Sequence, residues 1–265
     1  MFPILGKQGR GLLLMIAAVT LAAAACSSSS GTASPAASAT VVPTGPAATG
    51  QPGNSDSGSV LGGAAANLAN LTSYKFKMTV AGGDLGQTLS LLGVADATGA
   101  APVNVTGTII SNPAKADIHV ASIHIIEIDG YDYRYDAGLG GFGQTQMTDK
   151  GWAVAVSPAT MFTSSIGAST SGNFLKVDSG TKNGVNADHY QASSGAFDEQ
   201  ASILGIAGAT WSGDVWIATD GGYPVSVAVV AKAADNSVAY EMTFDLSNIN
   251  DPANSVVAPT NVVGA

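Results

Sequence analysis

The chain has 265 residues, a net charge of −9 at neutral pH and one cysteine, Cys26. An acidic protein of this kind repels nucleic acid and anionic lipid headgroups, so neither is expected as a partner. A single cysteine excludes an intrachain disulfide, so the role of Cys26 needs another explanation.

The N-terminus has the layout of an export signal. Lys7 and Arg10 form a positive region, and Gly11 to Ala25 is apolar apart from Thr20. This run of about 15 residues is shorter than the roughly 20 that a membrane-spanning helix needs. Positive, apolar and small-residue zones in that order are typical of a removable signal peptide. We therefore expect residues 1–25 to be cleaved, which removes two positive charges and changes the net charge from −9 to −11.

Cys26 directly follows this segment. Ala23 to Cys26 resembles the lipobox of bacterial lipoproteins, although the commonest pattern has Leu three residues before the cysteine and the nearest here is Leu21. An unpaired exported thiol is reactive. Lipidation would explain both why the cysteine lies at this position and why the chain has no second one. The alternative is an ordinary signal cut at an Ala-x-Ala site, with Cys26 incidental. We expect acylation of Cys26, which would anchor the protein on the extracytoplasmic face of the cell membrane.

A low-complexity segment separates this cysteine from the rest. Ser27 to Ser59 is mostly Ser, Thr, Ala, Pro and Gly and has no aromatic residue. Such a composition buries too little apolar surface to offset the entropy of ordering, which predicts disorder. A flexible coil of roughly 30 residues spans about 30 Å root-mean-square. Residues 26–59 are thus predicted to be a lipidated tether, and residues 60–265 a single domain.

The domain opens with a predicted helix, Val60 to Leu71, and continues with strand patterns. Apolar and polar residues alternate in four segments, at residues 74–80, 103–109, 117–120 and 131–136. A period of two predicts strands with one dry and one wet face.

The C-terminal third carries the clearest strand signal. Three consecutive strands are predicted at Trp211–Thr219, Tyr223–Ala231 and Val238–Leu246. Gly221-Gly222 joins the first pair and Asp235-Asn236 the second, as hairpin turns.

Two further helices are predicted between these strand regions. Ser157 as N-cap and Pro158 at the first helical position predict a helix through Phe162, and Phe197 to Ile206 has helical spacing. Two or three helices cannot cover both faces of a long sheet. The predicted fold class is α+β: a strongly curved antiparallel sheet with two or three helices packed on its concave face.

Several segments together resemble a known family. They are "TSYKFKMTV", "KNGVNADHYQAS" and "GDVWIATDGGYPVSVAVVAKAADNSVAYEMTFDLSNINDP". From about Val60 to Pro259 the layout resembles LppX/LprG-type lipoproteins, which are related in shape to the lipoprotein carrier LolA; residues 215–224 and 244–252 are the most specific. The resemblance implies a half-barrel whose concave face, lidded by helices, encloses a hydrophobic cavity. Family members of this kind carry acyl chains or lipidated glycolipids between membrane and envelope.

The leading hypothesis is a monomeric, non-enzymatic lipoprotein, without a cofactor, that binds or carries a lipid or glycolipid. The candidate cavity-lining residues are Tyr74, Phe76, Met78, Tyr240, Met242 and Phe244. The alternative is a surface interaction or sensor module with a solid core and no ligand. A hydrolase is disfavoured, because the sequence has no G-x-S-x-G motif.

Two other patterns have simple interpretations. Gly138 to Gly143 fits the dinucleotide pattern G-x-G-x-x-G, but no helical period follows, which favours a loop between strands. The histidines His119, His124 and His189 lack supporting ligands at the spacing of a zinc site. They are expected on the solvent face, with no bound metal.

Overall fold

One antiparallel sheet of eleven strands dominates the computed structural model, which describes residues 57–82, 102–147, 158–162, 173–193, 195–206 and 208–263. The strands are β1 Ser73–Gly82, β2 Val103–Ser111, β3 Ala114–Val120, β4 Ile123–Ile128, β5 Tyr131–Asp136, β6 Gly141–Gln146, β7 Phe174–Lys182, β8 Val185–Ala192, β9 Thr210–Ala218, β10 Pro224–Lys232 and β11 Val238–Ser247. Their order across the sheet is β6-β5-β4-β3-β2-β1-β11-β10-β9-β8-β7. Two meanders, β1–β6 and β7–β11, therefore join where the first strand pairs with the last.

Three helices accompany the sheet in the described ranges: α1 Ser57–Leu68, α2 Pro158–Phe162 and α3 Asp198–Ile203. The predicted class, a curved antiparallel sheet with two or three helices, is confirmed to that extent. The bounds of α1 differ from the predicted Val60–Leu71. The helix starts three residues earlier, at Ser57. It also ends earlier because a tight turn, with Leu71 N–H donating to Leu68 C=O at 3.2 Å, closes it.

Helix α3 is shorter than the predicted Phe197–Ile206. It ends before Gly205, which has a left-handed φ of 65° and cannot continue the helix. The predicted loop at Gly138–Gly143 is a turn only as far as Gly140, since Gly141 already starts β6.

The three predicted C-terminal strands are confirmed as β9, β10 and β11 within one residue at each end. Strands β4, β6, β7 and β8 are not among the strand segments predicted from the alternation of apolar and polar residues. The sequence features that best indicate these strands are the turn-forming dipeptides Asp129-Gly130 and Asn183-Gly184, which follow β4 and β7. All four residues have positive φ, as a two-residue hairpin turn with right-handed strand twist requires.

The main hydrophobic core lies on one face of the sheet, which we call the inner face and define by Tyr74, Phe76, Met78 and Val80 of β1. All four are buried and belong to the same cluster. Gly107 of β2 pairs with Phe76, and a Cβ there would lie 2.7 Å from the Phe76 ring. The absence of a side chain at Gly107 therefore makes room for this ring.

The opposite, outer face carries a smaller cluster of Ile126, Ile128, Tyr133, Phe142 and Val256. Val256 belongs to the segment after β11, which follows this face to the edge strand β6. At that edge, the Phe142 N–H donates to Asn261 C=O at 2.9 Å and the Val263 N–H to Phe142 C=O at 2.8 Å. The C-terminal segment thus satisfies backbone groups at an edge that would otherwise be exposed.

The signal peptide, Cys26, the tether up to Asp56 and the predicted N-cap Ser157 lie outside the described residues. The described residues all belong to one compact unit, Gly50–Ala265; the other unit, Met1–Thr49, also lies outside them. In the ranges that the structure describes, we find no helix with the length and apolar character needed to span a membrane.

Candidate functional site

The six candidate cavity residues lie together on the inner face. Tyr74, Phe76 and Met78 come from β1 and Tyr240, Met242 and Phe244 from β11; all six are buried in the main core. The two strands are neighbours, and Met78 pairs directly with Phe244. The sequence placed each set on one face of its strand, and the pairing of β1 with β11 makes the two sets one surface.

Helices α1 and α2, and the residue preceding α3, contribute apolar side chains to the same core. Leu61 and Leu68 of α1 and Phe162 of α2 are buried in it. Phe197, at the N-cap of α3, stacks on Trp211 of β9 with ring centroids 5.4 Å apart. Phe197 also packs over Gly213, where a Cβ would lie 2.6 Å from its ring. The inner face is therefore the face against which these helices pack.

A small apolar cavity lies between the inner face and α2. It is lined by Met78, Phe162, Val227, Met242 and Phe244, and its volume is about 10 Å³. That volume is close to the minimum that holds one water molecule. Three of the six predicted residues line it; Phe162 and Val227 were not predicted, because the sequence does not show which helix covers which strand.

Tyr74 and Tyr240 are the polar members of the predicted set. Burial raises the pKa of each phenol to about 12, since the apolar surroundings disfavour the phenolate. Both side chains therefore remain neutral at physiological pH and add a hydroxyl group to an otherwise apolar surface.

Two buried polar groups near α3 lack hydrogen-bond partners. They are the amide nitrogen and oxygen of Gln200, in α3, and the indole N–H of Trp211. Buried polar atoms are almost always hydrogen-bonded in folded proteins, so each such group calls for a partner. Because Phe197 stacks on Trp211, both groups belong to the region where α3 meets β9.

The three histidines lie on the outer face. His119 is exposed, as predicted, whereas His124 and His189 are half-buried. His189 contacts Asp178 at 3.1 Å and Asp214 at 2.9 Å, and its ring stacks on Trp216.

His119 and His124 lie opposite each other on β3 and β4, with Asp117 beside both imidazoles. Burial lowers the pKa of His119 and the neighbouring His124 lowers it further, against the opposing effect of Asp117. No supporting ligand near these histidines was predicted from the sequence. Asp117 shares a face with His119 on the same strand, but its contact with His124 depends on the pairing of β3 with β4.

Comparison with solved structures returns lipoproteins, a LolA superfamily protein and MucB of Pseudomonas aeruginosa in complex with MucA, among others. The chain is similar to the lipoprotein LppX from Mycobacterium tuberculosis, with 14% identity and a TM-score of 0.37, over 74% of this chain and 97% of that one. LprF from Mycobacterium bovis matches with 12% identity and a TM-score of 0.38, over 76% and 95% of the two chains. A LolA superfamily protein from Nitrosomonas europaea matches with 7% identity and a TM-score of 0.24, over 72% and 91%.

LppX and a LolA superfamily protein are among these matches. No protein-family model matches the chain, and no curated protein matches it in sequence.

Proposed function

We propose that the mature protein is a lipid-anchored lipoprotein of the cell envelope that binds an acyl chain of a lipid or glycolipid between the inner face and its helices. In this proposal the inner face is the concave face of a half-barrel, Cys26 carries the anchor, and the role is binding rather than catalysis. The observation that carries it is the apolar inner face that α2 covers, where Met78, Phe162, Val227, Met242 and Phe244 enclose a small cavity.

The composition of this cavity suits a flexible apolar ligand. Met78 and Met242 supply unbranched, polarisable side chains, which adapt their shape more easily than branched ones. Phe162 covers the cavity from α2, a helix of five residues that is too short to be stable without its contacts. Displacing one short helix would extend the cavity along the apolar sheet face without breaking any strand pairing.

The unpartnered polar groups support the same proposal. A lipid ligand has ester, amide or hydroxyl groups next to its acyl chains. The Gln200 amide and the Trp211 indole N–H are both buried without partners. Hydrogen bonds to the polar groups of a lipid would offset the free-energy cost of burying them. Ligand pockets commonly combine an apolar lining with a few polar groups of this kind.

A solid-core interaction module is the second candidate, and the size of the cavity favours it. A volume of about 10 Å³ holds no acyl chain, so the carrier proposal requires the site to widen on binding. The two candidates differ in whether the purified protein contains a ligand.

Native mass spectrometry of the mature protein, purified from its own host, tests the proposal. We expect a lipid adduct that dissociates under collisional activation, whereas the acyl groups on Cys26 stay attached because they are covalent. A spectrum without a dissociable adduct, from protein that also fails to take up a fluorescent fatty acid, would contradict the carrier proposal and favour the solid-core module.

A further inference from the structure

The outer face carries a cluster of three metal-ligating side chains that the proposed lipid site does not use. His119 of β3 and His124 of β4 are directly paired across the hairpin, and Asp117 lies two residues before His119. Residues two apart on a strand share a face, so all three side chains project from the same side. Lys77 of β1 pairs with Thr106, which pairs with His119, and this register places the cluster on the outer face.

The two imidazoles converge on one carboxylate oxygen. The Asp117 Oδ1 lies 2.8 Å from His124 Nε2 and 3.5 Å from His119 Nε2, and one ligand atom from each residue lies within 4.8 Å of the other two. A cation bound at about 2.0–2.1 Å from nitrogen and oxygen ligands holds tetrahedral neighbours roughly 3.3 Å apart. The observed separations bracket that value, so small side-chain rotations would bring the three groups around one ion.

Ring contacts on the outer face and buried side chains on the inner face hold the cluster in place, and its ligand atoms remain accessible to solvent. The rings of His119 and His124 stack with centroids 3.8 Å apart, and the His124 ring meets the edge of Phe142 at 5.0 Å. Ile118 and Ile125, buried on the inner side, fix the two strands. The His119 side chain is 53% exposed and that of Asp117 32%, so an ion can reach the site directly.

We propose that Asp117, His119 and His124 form a surface binding site for a divalent transition-metal cation of the Zn²⁺ class. Two imidazoles and one carboxylate suit zinc, copper or nickel, whereas calcium and magnesium prefer oxygen ligands. Three protein ligands leave at least one coordination position for water or for a group from another molecule. The competing interpretation is a simple ion pair between Asp117 and a protonated histidine.

Calorimetric titration of the mature protein with ZnCl₂, in chelator-free buffer and without a polyhistidine tag, tests the site. We expect saturable binding of one Zn²⁺ per chain, and a dissociation constant raised at least about tenfold by His119→Gln or His124→Gln. The matched control is His189→Gln, because His189 also lies on the outer face and contacts two carboxylates. That variant is expected to bind zinc as tightly as the wild type.

A second measurement does not depend on the folding of any variant. In ¹⁵N-histidine-labelled wild-type protein, Zn²⁺ should shift the imidazole signals of two of the three histidines and leave those of His189 unchanged. Absence of saturable binding, wild-type affinity in His119→Gln, or an equal loss in His189→Gln would overturn the proposal. Equal shifts of all three imidazole signals would also overturn it.

Discussion

Met242→Trp is the substitution that best separates a carrier from a solid core. Met242 is buried on the inner face and lines the cavity under α2. At about 24 cal/mol per Å³ of void, a cavity of about 10 Å³ corresponds to only about 0.2 kcal/mol. The existing void is therefore too small to hold the additional atoms of a larger side chain. We expect Met242→Trp to destabilise the ligand-free protein by about 1–3 kcal/mol. Since a typical domain is stabilised by roughly 5–15 kcal/mol, at least about 2 kcal/mol would remain and the variant should still fold.

Because this cost is expected for both candidate functions, stability alone does not distinguish them. Binding of a fluorescent fatty acid does. If the acyl chain lies between the inner face and α2, the indole ring occupies its place, and the dissociation constant should rise at least about tenfold. The matched control is Thr243→Trp, one residue along β11, which projects from the outer face because side chains alternate. We expect it to bind the probe as the wild type does. Equal binding by Met242→Trp, or saturable binding by neither variant nor the wild type, would refute the reasoning.

Three further expectations concern the anchor, the tether and the buried phenols. Wild-type protein should partition into the detergent phase, whereas Cys26→Ser should remain an uncleaved precursor or reach the medium; equal aqueous partitioning of both would contradict lipidation. Protease treatment of intact cells should cut first within Ser27–Asp56 and shed a folded domain, and first cuts inside β9–β11 would show the boundary to be wrong. Since burial raises the pKa of Tyr74 and Tyr240 to about 12, each stabilises the fold below pH 10 and loses about 2–3 kcal/mol between pH 10 and 12. Denaturant titrations across that range check it, with Tyr74→Phe and Tyr240→Phe each expected to remove only the share of the loss that belongs to the substituted tyrosine.

The inner face could be predicted from sequence because strand alternation is a local property. In β11, Tyr240, Met242 and Phe244 alternate with polar residues, and burial follows the same period of two in the structure. The hydrophobic pattern fixes which side chains of a strand face the core. It needs no knowledge of the neighbouring strands, which is why the sequence alone could place each set of three candidate residues on one face of its strand.

The cavity and the histidine cluster could not be predicted, because both depend on contacts between distant segments. Phe162 reaches the cavity only because α2 folds over the inner face of the sheet. Asp117 meets His124 through the register of β3 with β4, and a shift by one residue would move Asp117 to the other face. Gly107 could likewise be predicted only in part. Alternation places it on the inner face, but its close approach to Phe76 depends on the pairing of β1 with β2.

The two proposed sites occupy opposite faces of one sheet and should act independently. Met242 lies on β11 and His119 on β3, three strand spacings apart, which is roughly 14 Å at about 4.8 Å per spacing. Substitutions more than about 7–10 Å apart without shared partners usually have additive effects. Loss of zinc binding in His124→Gln should therefore leave fatty-acid affinity unchanged, and Met242→Trp should leave zinc affinity unchanged. If zinc does change fatty-acid affinity, reciprocity requires the fatty acid to change zinc affinity by the same factor. Such coupling would mean that the conformation of the β3–β4 hairpin depends on whether a fatty acid is bound on the inner face.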